Sequence, residues 1–207
     1  MTLLRPTQPP EGALSRIGDA ARRGALAGLA SAVGFLVIGA ESALRGGEMH
    51  YRDALQLVPW VLAAVTLAFL HATQRHVRNR VELVGFWSTM GAMSVAASGQ
   101  IGLISGVERL APLAFPVGAL LWLAAMAVYG VGTYRAGVVP KRVGVAIALL
   151  EPGSILTGIA LSPLVGLHDR GNYSGALEKG VVMLLIAAAL GSLGSARVAA
   201  ARRHVSG

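Results

Sequence analysis

Val143 to Val165 reads VGVAIALLEPGSILTGIALSPLV. As a helix this stretch is long enough to cross a bilayer, whose hydrocarbon core takes about 20 mainly apolar residues within a range of roughly 17 to 25. Yet Glu151, Pro152 and Gly153 stand near its middle. A carboxylate there must be protonated, hydrogen-bonded or facing water, because an ionised side chain at a helix centre costs roughly 2.5 to 3.5 kcal/mol even on lenient insertion scales. Glu151 is the only ionisable residue that the sequence places deep in apolar text, so it is the first candidate for function.

The same texture extends outward along the chain. Uncharged runs lie between Arg23 and Glu41, Asp53 and His71, Glu82 and Glu108, Arg109 and Arg135, and Lys179 and Arg197. With the opening stretch they make six segments of spanning length. Of the 207 residues 54% are hydrophobic and 14% charged, which leaves too little amphipathic surface for a water-soluble helical protein. A membrane β-barrel needs short alternating strands, whereas these runs are continuous and rich in Ala, Leu and Gly. The expected fold is therefore all-α: an integral membrane bundle of six transmembrane helices, over about 26–43, 55–73, 81–104, 113–134, 143–165 and 180–200.

Residues 1–24 are expected to form a disordered or interfacial segment, 25–201 the six-helix domain and 202–207 a tail. MTLLRPTQPPEG, with three of the nine prolines, carries no apolar period, while ALSRIGDAARRG spaces Leu14, Ile17 and Ala21 helically as an interfacial lead-in. A cleaved signal peptide is the rival reading of the first span. Its run exceeds the usual 7 to 15 residues and Ile38 before Ala40 makes a poor cleavage site, so a retained helix is favoured.

Charge sets the orientation. The segments holding Arg5, Arg16, Arg22 and Arg23, Arg75, Arg78 and Arg80, Arg135, Lys141 and Arg142, and Arg197, Arg202 and Arg203 fall on one side, leaving Arg45, Arg52, Arg109, Arg170 and Lys179 for the other. By the positive-inside bias both termini are cytoplasmic, in a bacterial cytoplasmic membrane. The net charge of +8 follows this pattern, and no basic face interleaved with aromatics suggests nucleic acid. Anionic headgroups are the expected partners of the basic rim, where His71 and His76 are also placed. The chain has no cysteine, which removes thiol catalysis, thiolate metal sites and disulfides.

Projected at 100° per residue, Gly144, Ala148, Glu151, Ser154, Gly158 and Ser162 share a small, polar face expected to look into the bundle, with Ile147, Leu150, Leu156, Leu161 and Leu164 turned away. Pro152 cannot donate to the carbonyl of Ala148, so a kink is expected. No Lys or Arg is found at matching depth, which leaves Thr66, Ser88, Thr89 and Ser192 as hydrogen-bonding neighbours and favours a neutral Glu151. Glu151, Ser154 and Ser162 are the candidate proton or ligand site, set against an equally weighted reading in which Glu151 serves only packing.

A second candidate cluster gathers His50, Asp53, Glu108, His168 and Asp169 on the outer side. Imidazole with carboxylate suits a divalent metal, but the spacing is not diagnostic and solvated loop residues are the favoured reading. No metal or cofactor is assigned. Ser94, Ser98, Gly102 and Gly106, and Ala187, Gly191 and Ser195, form small-xxx-small ladders on helices 3 and 6, suited to a second copy or a membrane partner. HExxH and Walker motifs are absent, as is a G-x-S-x-G elbow.

Gly130 to Gly144 reads G-x-x-x-Y-R-A-G-x-x-P-K-x-x-G, which resembles the cytoplasmic hairpin of small bacterial polytopic proteins, Y-R-S-G-x-x-P-R-x-x-G. The resemblance covers about 15 residues of a tight positive-inside turn. It implies six or seven spans and carries no activity or functional residue with it. Three classes of function stand: a non-enzymatic binding or accessory membrane subunit first, then a small proton-coupled permease using Glu151, then an enzyme on a lipid or isoprenoid. A cavity reaching Glu151 would favour the second, a lateral opening with a second acid or base the third, and a sealed Glu151 the first.

Overall fold

In the computed structural model, residues 11–45, 50–163 and 173–205 are described, all helix or short connection, with no strand among them. Six long helices follow one another: α1 (Glu11–Arg45), α2 (Tyr51–Gln74), α3 (Arg80–Ile104), α4 (Val117–Ala136), α5 (Lys141–Leu161) and α6 (Ala176–Val205). A four-residue helix, Ala111–Ala114, precedes α4. Five of the six, all but α3, are long and apolar enough to cross a membrane. That makes the chain a multi-pass membrane protein by length and composition. Helix α3 has 25 residues, ample for a crossing, but Glu82, Ser88, Thr89, Ser94, Ser98 and Gln100 dilute its apolar content.

Each long helix packs on the next, and α1 closes on α6, so the six stand in a ring. Exposed Leu26, Val33 and Val37 on α1, Val58 and Val61 on α2, Leu120 on α4, Leu149 and Leu156 on α5 and Val181 on α6 cover its outside. A surface this apolar belongs in lipid rather than water. Inside, Phe35, Leu67, Phe86, Met93, Trp122, Met126, Tyr129, Ile147, Leu150, Met183 and Ile186 fill the centre.

Lipid tails are as apolar as Leu, so helices in a membrane associate through close packing rather than through the hydrophobic effect. Glycine makes that possible here. A Cβ on Gly85 would stand 2.5 Å from the backbone of Tyr129, and one on Gly130 would stand 2.5 Å from Gly144 O and Ala148 N. These positions seat α3 on α4 and α4 on α5. Gly24, Gly28 and Gly39 on α1 and Gly180 and Gly194 on α6 serve the closing seam in the same manner.

Helix ends follow from local chemistry. Asn79 caps α3, its Oδ1 accepting from Val81 N at 3.0 Å and Glu82 N at 3.4 Å, and its Nδ2 donates to Gly132 O on α4 at 3.1 Å. Gly137, at φ +64°, ends α4 in the left-handed conformation that glycine adopts without a steric penalty. Lys141, opening α5, then lies 5.0 Å from the centre of the Tyr134 ring.

Several expectations change. Residues 13–24 are continuous with the first span: α1 runs unbroken from Glu11, and Ala21 is fully buried. Ser94 and Ser98 lie away from the contacts of α3 within the ring: both are exposed and donate back to Met90 O and Ser94 O of their own helix at 2.9 Å. The seam is the opposite face, through Gly85, Ala92, Ala96 and Gly99. Gly106 lies beyond α3, at φ +72°. On α6 Ala187 packs against Gly28, while Ser195 is exposed. Trp60 and Tyr129 lie among the central side chains, and Tyr129 donates to Leu67 O at 3.1 Å.

Gly85→Ala should therefore lower stability by about 1–3 kcal/mol through overpacking. Gly91, with nothing within 4 Å of a built Cβ, should accept Ala within about 0.5 kcal/mol. Thermal unfolding of the two variants in one detergent checks the pair.

Candidate functional site

Helix α5 runs without interruption from Lys141 to Leu161, through Pro152. Its buried residues are Val143, Gly144, Ile147, Leu150, Glu151 and Ser154. The inward face is thus wider and more apolar than the expected polar stripe, because Ile147 and Leu150, predicted to point away, fill the ring. Leu156 does face outward.

Glu151 is 7% exposed. Contrary to the expectation that it lacks a cation, Lys179 Nζ lies 3.2 Å from Glu151 Oε2. The reason is a helix boundary. Taken as an outer-loop residue, Lys179 instead sits in the first turn of α6, which starts at Ala176. Gly175, just before it, is level with Ser154, whose Oγ donates to Gly175 O at 3.0 Å. From that level Lys179 reaches down to Glu151, about one turn below Ser154 on α5.

The neighbours of this pair come from the rest of the ring. The Lys179 ammonium also lies 5.4 Å from the centre of the Trp60 ring, within the range of a cation–π interaction. Trp60 and Trp122 approach at 5.2 Å between ring centres. Glu178, beside Lys179, is partly buried and packs over Gly153, where a Cβ would stand 2.7 Å from Glu178 Oε1. Lys179, Trp60, Trp122, Phe35, Met93 and Leu150 surround a small central space of about 10 Å³. This is about the minimum that holds one water.

Ser162 does not join the site. It lies at the end of α5, donating to Ile159 O at 2.7 Å, roughly three turns from Glu151. Thr66 and Ser192, expected beside Glu151, donate to Leu62 O and Ala189 O of their own helices, and Thr89 lies 3.9 Å from Met126 Sδ.

Of the outer cluster, His168 and Asp169 lie outside the described residues. His50 and Glu108 are exposed, and Asp53 is engaged elsewhere: Tyr173 donates to its Oδ1 at 2.5 Å. Gln100 Nε2 donates to both Tyr173 Oη at 2.7 Å and the Asp53 carbonyl at 3.2 Å. With Tyr173 N donating to Ser42 Oγ at 2.9 Å, this node ties α1, α2 and α3 to the entry of α6. Among the described residues no group of three His, Asp or Glu could hold a metal ion.

Two further buried polar contacts were not expected from the sequence. Arg52, fully buried, donates from Nε to Glu41 Oε2 at 2.5 Å, and Tyr51 donates to Glu41 Oε1 at 2.6 Å. At the opposite end, His71 is not among exposed headgroup-facing residues: its Nδ1 lies 2.8 Å from Glu82 Oε1 and its ring stacks on Phe86 at 4.1 Å. The spacing of His71 and Glu82 across the α2–α3 turn was the available signal. Acid and imidazole eleven residues apart, straddling one hairpin, fall at the same level when the helices are antiparallel.

The chain matches no protein-family model, no curated protein and no solved structure. Its chemistry therefore rests on its own geometry, and the Glu151–Lys179 pair is the interior's most exacting element. Breaking a buried ion pair by removing one partner leaves an uncompensated charge and costs about 3–5 kcal/mol. Lys179→Met should lower stability by that order at neutral pH, and by more than Lys179→Met combined with Glu151→Gln, because the double variant leaves one carboxyl rather than two without a cation. Unfolding midpoints of the single and double variants give the comparison.

Proposed function

We propose that this chain is a non-enzymatic accessory or binding subunit of a bacterial cytoplasmic membrane, with six spans and both termini on the cytoplasmic side. The observation that carries the reading is the outward face of α3. Between Trp87 and Ile101 its exposed positions are Ser88, Gly91, Ser94 and Ser98, with Met90, Val95 and Ala97 half-buried beside them. The other five helices present Leu, Val or Ile to the outside.

A flat face of small residues lets another backbone come close. Back-bonding of Ser94 and Ser98 to their own helix keeps the hydroxyls satisfied until a partner arrives. The occupant is a transmembrane helix of a partner protein whose own contact face is rich in Gly, Ala or Ser. The small central space and the closed Glu151 side chain support this reading over a permease or an enzyme, which need a path or a lateral opening to the acid.

Sidedness rests on Arg16, Arg22, Arg23, Arg75, Arg78, Arg80, Arg135, Lys141 and Arg142, all exposed. They gather at the ring end where α1, α3 and α5 begin, suited to anionic headgroups of the inner leaflet.

Gly91→Leu and Ser94→Leu together should leave the unfolding temperature of the purified chain unchanged and abolish its co-purification with a membrane partner in mild detergent. Retention of the same partner by the double variant would defeat the docking reading. A single homo-oligomeric species that survives the double variant would place any self-association on another face.

A further inference from the structure

The α5–α6 seam sets two carboxylates against one ammonium. Lys179 lies 3.2 Å from Glu151 Oε2, but not in hydrogen-bonding geometry. Glu151 Oε2 and Glu178 Oε2 are both closed off and accept no hydrogen bond from any described group. Lys179 is meanwhile held against the Trp60 ring, and Gly153 makes room for the Glu178 carboxylate on the α5 backbone.

Among the described residues no other charge corrects the imbalance, and Glu178 has Lys179 and Glu151 as its charged neighbours. Around the pair, α1 contributes Phe35, α2 Trp60, α3 Met93 and α4 Trp122. The next acids toward the outer end, Glu41 and Asp53, are bound by Arg52 and Tyr173. Fully ionised, the triad carries one uncompensated negative charge inside the ring, where a buried charge without a partner is strongly unfavourable.

One proton removes both defects. A protonated carboxyl is neutral and gains an O–H donor, and like charges crowded in one site favour protonating one of them. We propose that Glu151 and Glu178 bind a single exchangeable proton as a coupled pair, with Lys179 as the fixed counter-ion of the acid that stays ionised. The site has the composition of a proton-binding centre, two carboxylates and one ammonium, neutral when loaded and negative by one charge when empty. Its proton belongs to the pair rather than to either residue.

The test is infrared spectroscopy of the full chain in lipid nanodiscs, following the C=O stretch of protonated carboxyl groups with pH. A band that shifts on ¹³C labelling of glutamate should be present in the wild type at mildly acidic pH and lost on raising it. Glu151→Gln and Glu178→Gln should each abolish this band, because the remaining acid is then matched by Lys179. Lys179→Met should add a second protonated carboxyl.

A wild type without a glutamate band overturns the proposal without recourse to any variant, as does a band that survives both Gln substitutions. Absence of the band together with stabilisation of the wild type by sodium, lost in Glu178→Gln, would identify a metal cation as the occupant and overturn it too. Loss of partner binding on α3 leaves these readouts unaffected, so the proton site stands or falls separately from the docking reading.

Discussion

Close approach of backbones governs this fold. Within lipid, every peptide group must be satisfied along its own helix, and nothing apolar distinguishes a neighbouring helix from a lipid tail. Association then depends on how near two helix axes can come and how many atoms they bring into van der Waals contact. Gly85 against Tyr129, Gly130 against Gly144 and Ala148, and Gly28 against Ala187 are the places where this chain draws its axes together. Larger side chains such as Met126, Ile147 and Met183 fill the space that the glycines define. Without those approaches the central residues would have no common interior to occupy.

The spanning segments were legible because a long uncharged run has few alternatives in a chain of this composition. Helix ends were harder to read, and the largest consequence fell at Ala176. Glu178 and Lys179 look like loop charges in one dimension, since periodicity cannot tell a first-turn charge from a solvated one. Their burial depends on Glu151, which only the three-dimensional pairing of α5 with α6 brings near. The same limit applied to α3. A four-residue spacing identifies a face of a helix, and the face through Ser94 and Ser98 is as regular as the one through Gly85 and Gly99. Which of the two meets α4 depends on the rotation of α3 within the ring, a property of its neighbours.

The interior charges are organised by level. Near one end Glu41 and Arg52 pair beside Asp53, Tyr173 and Gln100, while near the other His71 meets Glu82. Between them lies the Glu151, Glu178 and Lys179 group. Each set joins at least two helices, and the Tyr173 node joins three, α1, α2 and α3, to the segment that enters α6. Buried polar contacts contribute modestly to net stability when fully matched, but they penalise any register in which one member is left alone. Ridge-and-groove packing of small residues tolerates sliding by a turn, whereas these fixed pairs do not. The polar levels thus select one vertical alignment among several that packing alone would accept.

Closure of α1 on α6 bears on how the chain is assembled. Gly194, late in α6, lies against Gly18 and Arg22 near the start of α1, and Gly39, late in α1, lies against Leu177 near the start of α6. Helices emerge from the ribosome in order, so α1 enters the membrane with its most intimate neighbour still unsynthesised. Its glycine-lined groove must wait in lipid through the insertion of four more helices. During that interval the groove is open to any helix with a small-residue face, which makes the nascent chain vulnerable to mispairing. Insertion of α6 ends that interval by occupying the groove, and the ring cannot close before it.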